Sequence, residues 1–293
     1  MAGLVIFSLL ISVVSYCSNA KLSDNVDITW SADHVDRANE GTELLLKLDN
    51  SSGSGFKSKE QYMFGTISME IKLVPGESAG TVTSFYLQTD STPSIGPDYY
   101  EYDFEFLGNV SGEPYIVQTN VYAGGKGGRE QRIYLWFDPT VDFHTYTMSW
   151  TKQHTVFLVD STPVRVFKNN EENGIPYPSK NPMTMRSSLW SGEDWATRGG
   201  LVKTNWNHAP FIASFRNFIA DACVVSQGQG QGGDDSSCSK FLPSSSASSF
   251  SSAKMEGNLG SEKLGWVRKN YMIYDYCTDA LRYPSPPPEC FLI

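Results

Sequence analysis

The sequence predicts an all-β protein, a sandwich of antiparallel strands. From residue 21 to about residue 218 the chain consists of short alternating segments separated by Gly, Pro, Asn and Asp. No stretch of this region repeats apolar residues with the 3.6-residue period of a long helix. Many short strands at turn spacing are typical of an antiparallel sandwich, which can bury one face of a sheet and present the other to solvent.

Several segments show the alternation that predicts a strand. In residues 67–73 and 117–122 every second side chain is apolar or β-branched, and polar side chains lie between them. Residues 155–159 and 164–167 flank a turn sequence at 160–163, which predicts a hairpin. Near the end of the chain, residues 264–276 are compatible with a short helix, a strand, or both.

The first twenty residues predict a secretory signal peptide. Residues 4–14 are an unbroken run of apolar and small side chains, and Ser18-Asn19-Ala20 offers a small-residue cleavage site, although no Lys or Arg precedes the run. A run of about 11 residues is too short to span a bilayer. The alternative, a buried helix, is less consistent with this pattern. No later stretch is long and apolar enough for a membrane span, so we expect a secreted protein.

The rest of the chain divides by composition into three parts. Residues 21–225 form the predicted sandwich domain, residues 226–253 are a Ser/Gly-rich loop, and residues 254–293 form a C-terminal extension. Four cysteines lie in the last quarter of the chain, which suits two disulfides in an oxidising compartment. Of the three possible connectivities we choose nearest neighbours, Cys223–Cys238 and Cys277–Cys290. A zinc site is the weaker alternative, because no C-x₂-C spacing and no nearby His is present. No metal and no cofactor are expected.

Charge and composition narrow the class of partner. The net charge is −9 with no basic cluster, which argues against nucleic acid and anionic membranes. The chain is rich in aromatic residues, with 7 Trp, 15 Tyr and 16 Phe. Such rings suit a neutral sugar polymer, and they suit an ordinary sandwich core equally well. The H-E-x-x-H motif of metalloproteases is absent from the sequence, and no GxGxxG opens a predicted helix as it does in dinucleotide-binding proteins.

The segment Tyr100-Glu101-Tyr102-Asp103-Phe104-Glu105-Phe106 is the strongest candidate for chemistry. On a strand it places three carboxylates on one face and four aromatic rings on the other. Residues four apart on a strand lie ~13 Å apart at the backbone, and two leaning Glu side chains can bring their carboxylates within ~5–6 Å. That separation matches a retaining glycosidase rather than an inverting one. A solvated strand face or a cation site is the open alternative.

Two loops and two glycosylation sequons accompany this strand. The Gly124–Gly128 run reads as a flexible turn in which backbone can approach a ligand closely. Residues 187–200 hold two Trp, two acids, an Arg and Gly residues, a set that can stack on sugars or close the edge of the core. Of the sequons, Asn109-Val110-Ser111 is predicted to carry a glycan, and Asn50-Ser51-Ser52 is the weaker candidate.

Taken in order, these motifs resemble the plant xyloglucan endotransglucosylase/hydrolases of glycoside hydrolase family 16. The resemblance covers nearly the whole chain. It rests on the leader and on the motifs at 101–109, 118–120, 194–200, 203–204, 270–277 and 287–290. It implies a curved β-jelly-roll sandwich with a substrate cleft on its concave face, and a C-terminal extension that lengthens the cleft on the acceptor side.

The resemblance also implies roles for individual residues. Glu101 corresponds to the nucleophile, Glu105 to the general acid/base, and Asp103 to the residue that orients the nucleophile. Sugar contacts are implied at Glu105, Gln118, Thr119, Asn120, Arg129, Glu130, Asp194, Trp195, Gly199 and Arg282. Xyloglucan is the implied donor and xyloglucan or an oligosaccharide the implied acceptor, in the plant cell wall, for a monomeric enzyme. Alternatives are an endo-hydrolase of xyloglucan or another β-glucan, and a catalytically weak glucan-binding wall protein.

The sequence departs from the family pattern around the first acid. Tyr99-Tyr100 stand where His-Asp is usual, Tyr102 stands at an aliphatic position, and Arg186 replaces an aromatic residue. Alternation places Tyr102 on the core side. It places Tyr99 on the cleft face beside Glu101.

Overall fold

The computed structural model describes residues 21–90, 96–225, 238 and 258–292. The predicted signal peptide lies outside these residues, as does the predicted Ser/Gly-rich loop apart from Cys238. The described chain contains two α-helices and fourteen strands. They are α1 (Leu22–Asn25), β1 (Val26–Trp30), β2 (Val35–Ala38), β3 (Glu43–Leu48), β4 (Ser54–Lys72), β5 (Thr81–Gln88), β6 (Glu101–Leu107), β7 (Ile116–Tyr122), β8 (Gln131–Tyr134), β9 (His144–Trp150), β10 (His154–Val159), β11 (Thr162–Lys168), β12 (Met183–Ser191), β13 (Phe211–Val225), α2 (Asn258–Asn270) and β14 (Met272–Asp275).

All strand pairs in this part of the chain are antiparallel, and the long strand β4 joins two layers. Its first half pairs with β12, and from β12 the sheet continues in the order β5, β6, β7, β8 and β14. We call this sheet the site layer. Its second half lies between β9 and β13 in the outer layer, which continues to β11 on one side and β2 on the other. The halves meet at Phe64 and Gly65, whose φ angles are 61° and 117°. A Cβ on Gly65 would lie 2.3 Å from the Ala222 Cα, so only glycine fits this crossing.

The core lies between the two layers and is largely aromatic. Phe104 in the site layer contacts Tyr146 and Phe157 of the outer layer, with ring centroids 5.8 and 5.3 Å apart. Phe56 and Phe215 meet edge to face at 5.3 Å between the first half of β4 and β13. Each of these rings is almost fully buried, and truncating one to Ala costs about 3–5 kcal/mol in typical cores. The all-β jelly-roll sandwich expected from the sequence is confirmed.

The hairpin formed by β10 and β11 is confirmed, but its turn is shorter than expected. Asp160 and Ser161 both adopt left-handed backbone angles, with φ of 46° and 62°. Two such residues close a hairpin on their own because their twist matches that of the strands. Thr162 and Pro163, expected in the turn, therefore belong to β11.

The C-terminal segment forms both a helix and a strand. After α2 the chain enters β14, which pairs with β8 and becomes the last strand of the site layer. Disulfides join Cys223 to Cys238 and Cys277 to Cys290, with Cα atoms 5.2 and 5.5 Å apart. Among the described residues, no helix is long and apolar enough to cross a membrane, and no cluster of His, Cys, Asp or Glu suited to a metal occurs.

Candidate active site

Strand β6 lies in the middle of the site layer, with β5 on one side and β7 on the other. Its three acids share the face that points away from the core, and each has one neighbour on either side. On the β5 side, the residues opposite Glu101, Asp103 and Glu105 are, in that order, Gln88, Tyr86 and Ser84. On the β7 side, they are Tyr122, Asn120 and Gln118. The register of three strands therefore gathers the carboxylates and their polar neighbours on one surface.

The opposite face of β6 is the aromatic face expected from the sequence. Tyr100, Tyr102, Phe104 and Phe106 are all buried. Tyr102, in place of the usual aliphatic residue, is fully buried, and its ring meets Phe157 at a centroid distance of 6.0 Å. The core thus accommodates the larger ring, and the acids on the other face keep their alternation.

Glu101 is held by two donors. The Tyr99 hydroxyl and the Gln88 side-chain amide both donate to Glu101 Oε2, each at 2.5 Å. The same amide also donates to the Tyr99 oxygen at 2.8 Å. Tyr99 therefore lies beside Glu101, as the alternation of the sequence predicts.

Asp103 is the most enclosed of the three acids. It is 5% exposed and lies between Glu101 and Glu105 on the strand. Burial, together with the charges of these two neighbours, raises the pKa of Asp103 well above its usual range. A neutral Asp103 has a proton to donate, and a hydrogen bond to Glu101 is among the causes of the raised pKa. The middle carboxyl can thus orient Glu101 without adding a further negative charge.

Glu105 begins a chain of side chains that crosses two strands. Gln118 Nε2 donates to Glu105 Oε2 at 2.6 Å, and Arg132 Nε donates to Gln118 Oε1 at 2.7 Å. Burial raises the pKa of Glu105 to about 7, despite the bond from Gln118, which lowers it. At mildly acidic pH Glu105 therefore carries a proton that it can give to a leaving group.

The C-terminal extension reaches the same face through charged contacts. Asn120 Oδ1 accepts from the backbone N–H of Arg129, whose Nε donates to Glu289 Oε1 at 2.5 Å. Arg282 donates to both carboxylate oxygens of Glu130, at 2.7 and 3.3 Å. Two of the expected sugar-contacting residues, Arg129 and Glu130, are thus held by partners near the end of the chain.

The loop that follows β12 carries the other expected sugar contacts. Trp195 lies beside Trp190 of β12, with ring centroids 6.0 Å apart. Asp194 is exposed and pairs with Lys203 at 3.0 Å. Gly199 has a φ of 68°, and a Cβ built on it would meet open space. The indole packs against Trp190 of the sheet, and the Asp194 carboxylate remains open to solvent.

Thr119 does not belong to this face, and the expectation of a sugar contact there is wrong. It pairs with Phe104 on the core side of the layer and is 3% exposed. Its carbonyl and hydroxyl oxygens accept from Arg165 Nη1 at 3.0 and 3.1 Å. Neighbours on a strand face opposite sides, so Gln118 and Asn120 lie on the face of the three acids, and Thr119 points to the interior.

Sequence reasoning missed four residues around the acids: Gln88, Tyr86, Arg132 and Arg165. The first three face the site from β5 and β8. Alternation along β5 was a usable signal, since Ser84, Tyr86 and Gln88 follow a period of two. Arg165 is a fully buried guanidinium behind β7, and no local sequence pattern indicates its contact with Thr119.

Arg186 and Asn109, two further residues of interest in the sequence, each have a defined hydrogen-bond partner. Arg186 on β12 lies opposite Tyr86 and pairs with Asp90 at 2.5 Å. Asn109, the candidate glycosylation site, is largely buried, and its amide donates to the Glu113 carbonyl. Asn109 and Trp136 both line a surface cavity of about 500 Å³.

Family models match both parts of the chain. The model described as glycosyl hydrolases family 16 matches residues 22–208. The model described as the xyloglucan endo-transglycosylase (XET) C-terminus matches residues 246–290. The two matches correspond to the sandwich and to the C-terminal extension.

Curated plant proteins are similar over almost the whole length. The probable xyloglucan endotransglucosylase/hydrolase protein 23 of Arabidopsis thaliana is 50% identical over 287 residues, covering 98% of this chain and 96% of the relative. Xyloglucan endotransglucosylase protein 34 of Populus tremula x Populus tremuloides is 48% identical over 288 residues, covering 95% and 93%.

Solved structures share the sandwich. A prokaryotic β-1,3-1,4-glucanase (lichenase) derived from a mouse hindgut metagenome aligns with a TM-score of 0.53 at 22% identity, covering 69% of this chain and 94% of that one. The Crh5 transglycosylase in complex with NAG aligns with a TM-score of 0.54 at 26% identity, covering 67% and 79%. The lichenase supports the fold alone, because its identity is low.

Proposed function

The chain belongs to the xyloglucan endotransglucosylase/hydrolases of glycosyl hydrolase family 16, and from that premise we propose how its residues act. It is a retaining xyloglucan endotransglucosylase that cleaves the β-1,4-glucan backbone and transfers the fragment to another glucan chain end. The observation that carries the mechanism is the face of β6, where Glu101, Asp103 and Glu105 lie in a row with different hydrogen-bond partners.

The first step forms a glycosyl-enzyme. Glu101, whose Oε2 is held by Tyr99 and Gln88, attacks the anomeric carbon with its other oxygen. Glu105, protonated because burial raises its pKa to about 7, gives its proton to the departing glycosidic oxygen. Neutral Asp103 donates to Glu101 and keeps the carboxylate aligned. Acids four apart on one strand suit the short separation of a retaining pair.

The second step releases Glu101. Glu105 is now ionised and takes the proton of an incoming hydroxyl, whose oxygen bonds to the anomeric carbon as the ester to Glu101 breaks. Two displacements at the same carbon retain the β configuration. If the hydroxyl belongs to a glucan chain end the result is transfer, and if it belongs to water the result is hydrolysis.

Transfer prevails when the acceptor chain is held against the intermediate more effectively than water can compete. We assign that task to the side of the cleft built by Asn120, Arg129, Glu130 and Arg282, because the C-terminal extension braces it through ion pairs. We assign sugar stacking to Trp195, which is fixed by Trp190. Asp194 and Gly199 lie in the same loop with open surroundings suited to sugar hydroxyls.

The setting we propose is the plant cell wall. The predicted signal peptide would deliver the chain to the apoplast as a monomeric enzyme, with a glycan at Asn109. Its role there is cell-wall construction and remodelling. Detection of the secreted enzyme in wall extracts, with its amino terminus near Lys21, tests this placement; an amino terminus at Met1 contradicts it.

One assay tests the proposed reaction against its alternatives. Xyloglucan polymer is incubated with a fluorescently labelled xyloglucan oligosaccharide, and both label in polymer and new reducing ends are followed. Label in polymer without new reducing ends is expected. New reducing ends alone would indicate an endo-hydrolase, and neither product with retained polysaccharide binding would indicate a glucan-binding protein. Glu101→Ala is the matched control and should lose turnover while remaining folded.

A further inference from the structure

The contacts of Glu101 form a closed triangle that the reaction scheme alone does not require. Tyr99 and Gln88 both donate to Glu101 Oε2 at 2.5 Å, and Gln88 also donates to the Tyr99 oxygen at 2.8 Å. One carboxylate oxygen therefore carries two donors that are bonded to each other. Fixing one oxygen in this way restricts rotation of the carboxylate and singles out the other oxygen for attack.

Tyr99 is itself held rigidly. Its ring meets Tyr122 edge to face with centroids 5.6 Å apart, and Tyr122 is the β7 neighbour of Glu101. Its backbone N–H donates to the Gly96 carbonyl at 3.0 Å, and its carbonyl accepts from Gly125 N–H at 2.9 Å. A Cβ on Gly125 would lie 2.6 Å from the Gly96 oxygen. The glycine run at 124–128 thus lets this turn press against the Tyr99 segment.

We propose that Tyr99, acting with Gln88, is a positioning residue that fixes Glu101 Oε2 and leaves Oε1 as the attacking oxygen. This inference rests on the proposed function and assigns a role to the tyrosine that stands before the nucleophile in this chain. Tyr99 touches Glu101 and acts through it.

The hydrogen bonds from Tyr99 and Gln88 also change in strength as the charge of Glu101 changes during the reaction. In the glycosyl-enzyme Oε1 is bonded to the anomeric carbon and Oε2 is the ester carbonyl, so the donors face a neutral group. When the acceptor oxygen displaces Glu101, negative charge returns to the carboxylate and the bonds to Oε2 strengthen. Hydrogen bonds to a charged group are roughly twice as strong as neutral ones. Tyr99 and Gln88 therefore stabilise the departing carboxylate in the transfer step.

The Tyr99 hydroxyl remains protonated, and so remains a hydrogen-bond donor, over the working pH range. Burial and the charge of Glu101 raise the pKa of Tyr99 above its ordinary value, so its hydroxyl keeps its proton. The remaining titratable groups facing Glu101 come from its own strand and from both neighbours: Asp103, Glu105, Tyr86 and Tyr122. Removing the Tyr99 hydroxyl leaves these groups in place, so a loss of kcat in the variant reports the missing hydrogen bond to Glu101.

The test compares Tyr99→Phe with Tyr146→Phe. Both remove one buried tyrosine hydroxyl, but that of Tyr146 lies in the core and has no hydrogen-bond partner among the described residues. For Tyr99→Phe we expect kcat to fall about 10- to 100-fold, the loss typical of a bond to a charged group, with the donor KM changed less than about twofold. Tyr146→Phe should match wild type.

A double variant checks that the two donors act on one oxygen. Gln88→Leu should slow the reaction like Tyr99→Phe, and the combined variant should lose less than the product of the two single losses. A wild-type kcat in Tyr99→Phe, or a donor KM that rises as much as kcat falls, would overturn the inference. So would a loss that appears equally in Tyr146→Phe. A wild-type enzyme that yields neither transfer nor reducing ends would instead overturn the proposed function.

Discussion

Replacing Glu105 by Gln should stabilise the protein at neutral pH while it removes the proposed general acid. Burial raises the pKa of Glu105 from its ordinary value of 4.5 to about 7 in the folded protein. The folded chain therefore keeps a proton that the unfolded chain loses as pH rises above 4.5. The stability gained from this proton is complete below 4.5 and is lost as pH rises through about 7.

The size of this effect follows from the same two values. One pKa unit corresponds to about 1.4 kcal/mol, so wild type should lose about 3 kcal/mol of unfolding free energy between pH 4.5 and pH 8 through this group. Gln stays neutral throughout and keeps the bond partner Gln118 within reach. Glu105→Gln should therefore be more stable than wild type at pH 8 by about 3 kcal/mol, and nearly equal to it at pH 4.5.

Urea unfolding followed by tryptophan fluorescence at pH 4.5, 6 and 8 measures this difference. Glu172→Gln, which changes an exposed glutamate after β11, is the matched control and should follow wild type at every pH. Curves for wild type and Glu105→Gln that stay parallel from pH 4.5 to 8 would refute the raised pKa of Glu105. The assignment of its proton to the leaving group would then lose its physical basis.

Three other substitutions probe the surroundings of the acids. Gln118→Leu removes a bond that lowers the pKa of Glu105, so the alkaline limb of kcat/KM should move up by about one unit; an unmoved limb in the pH–rate profile contradicts this. Arg282→Gln frees Glu130 from its bidentate partner and should raise the acceptor KM several-fold while the donor KM stays constant; equal changes in both would contradict it. Asn109→Gln should remove the mass lost on glycosidase treatment of the secreted protein, and an unchanged intact mass would contradict glycosylation there.

The sequence was sufficient for the fold class and for the strand that carries the acids. A period of two over seven residues is long enough to place three acids and four rings on opposite faces. The same rule located Tyr99 and Tyr102 on their observed sides. It also explains why the expected sugar contact of Thr119 is wrong. The family motif at 118–120 implies three consecutive contact residues, but alternation along a strand turns the middle residue into the core.

Contacts across strands could not be derived in this way, because they depend on register. Gln88 reaches Glu101 only because β5 pairs with β6 at that position, and Arg132 reaches Gln118 through the register of β7 and β8. The contact of Arg165 with Thr119 joins two layers of the sandwich and depends on how they pack. The Tyr99 bond needs in addition the exact path of the turn before β6, which its glycine contacts determine.

The central claim is that Glu101 is the nucleophile and Glu105 the acid/base, and azide rescue tests it most directly. Glu101→Ala and Glu105→Ala are each given an aryl β-glycoside of a xyloglucan oligosaccharide with sodium azide, and the glycosyl azide formed is identified by NMR. Azide should replace the missing nucleophile in Glu101→Ala and yield the α product. In Glu105→Ala it should attack the glycosyl-enzyme and yield the β product. The same anomer from both variants, or the reverse assignment, would contradict the account.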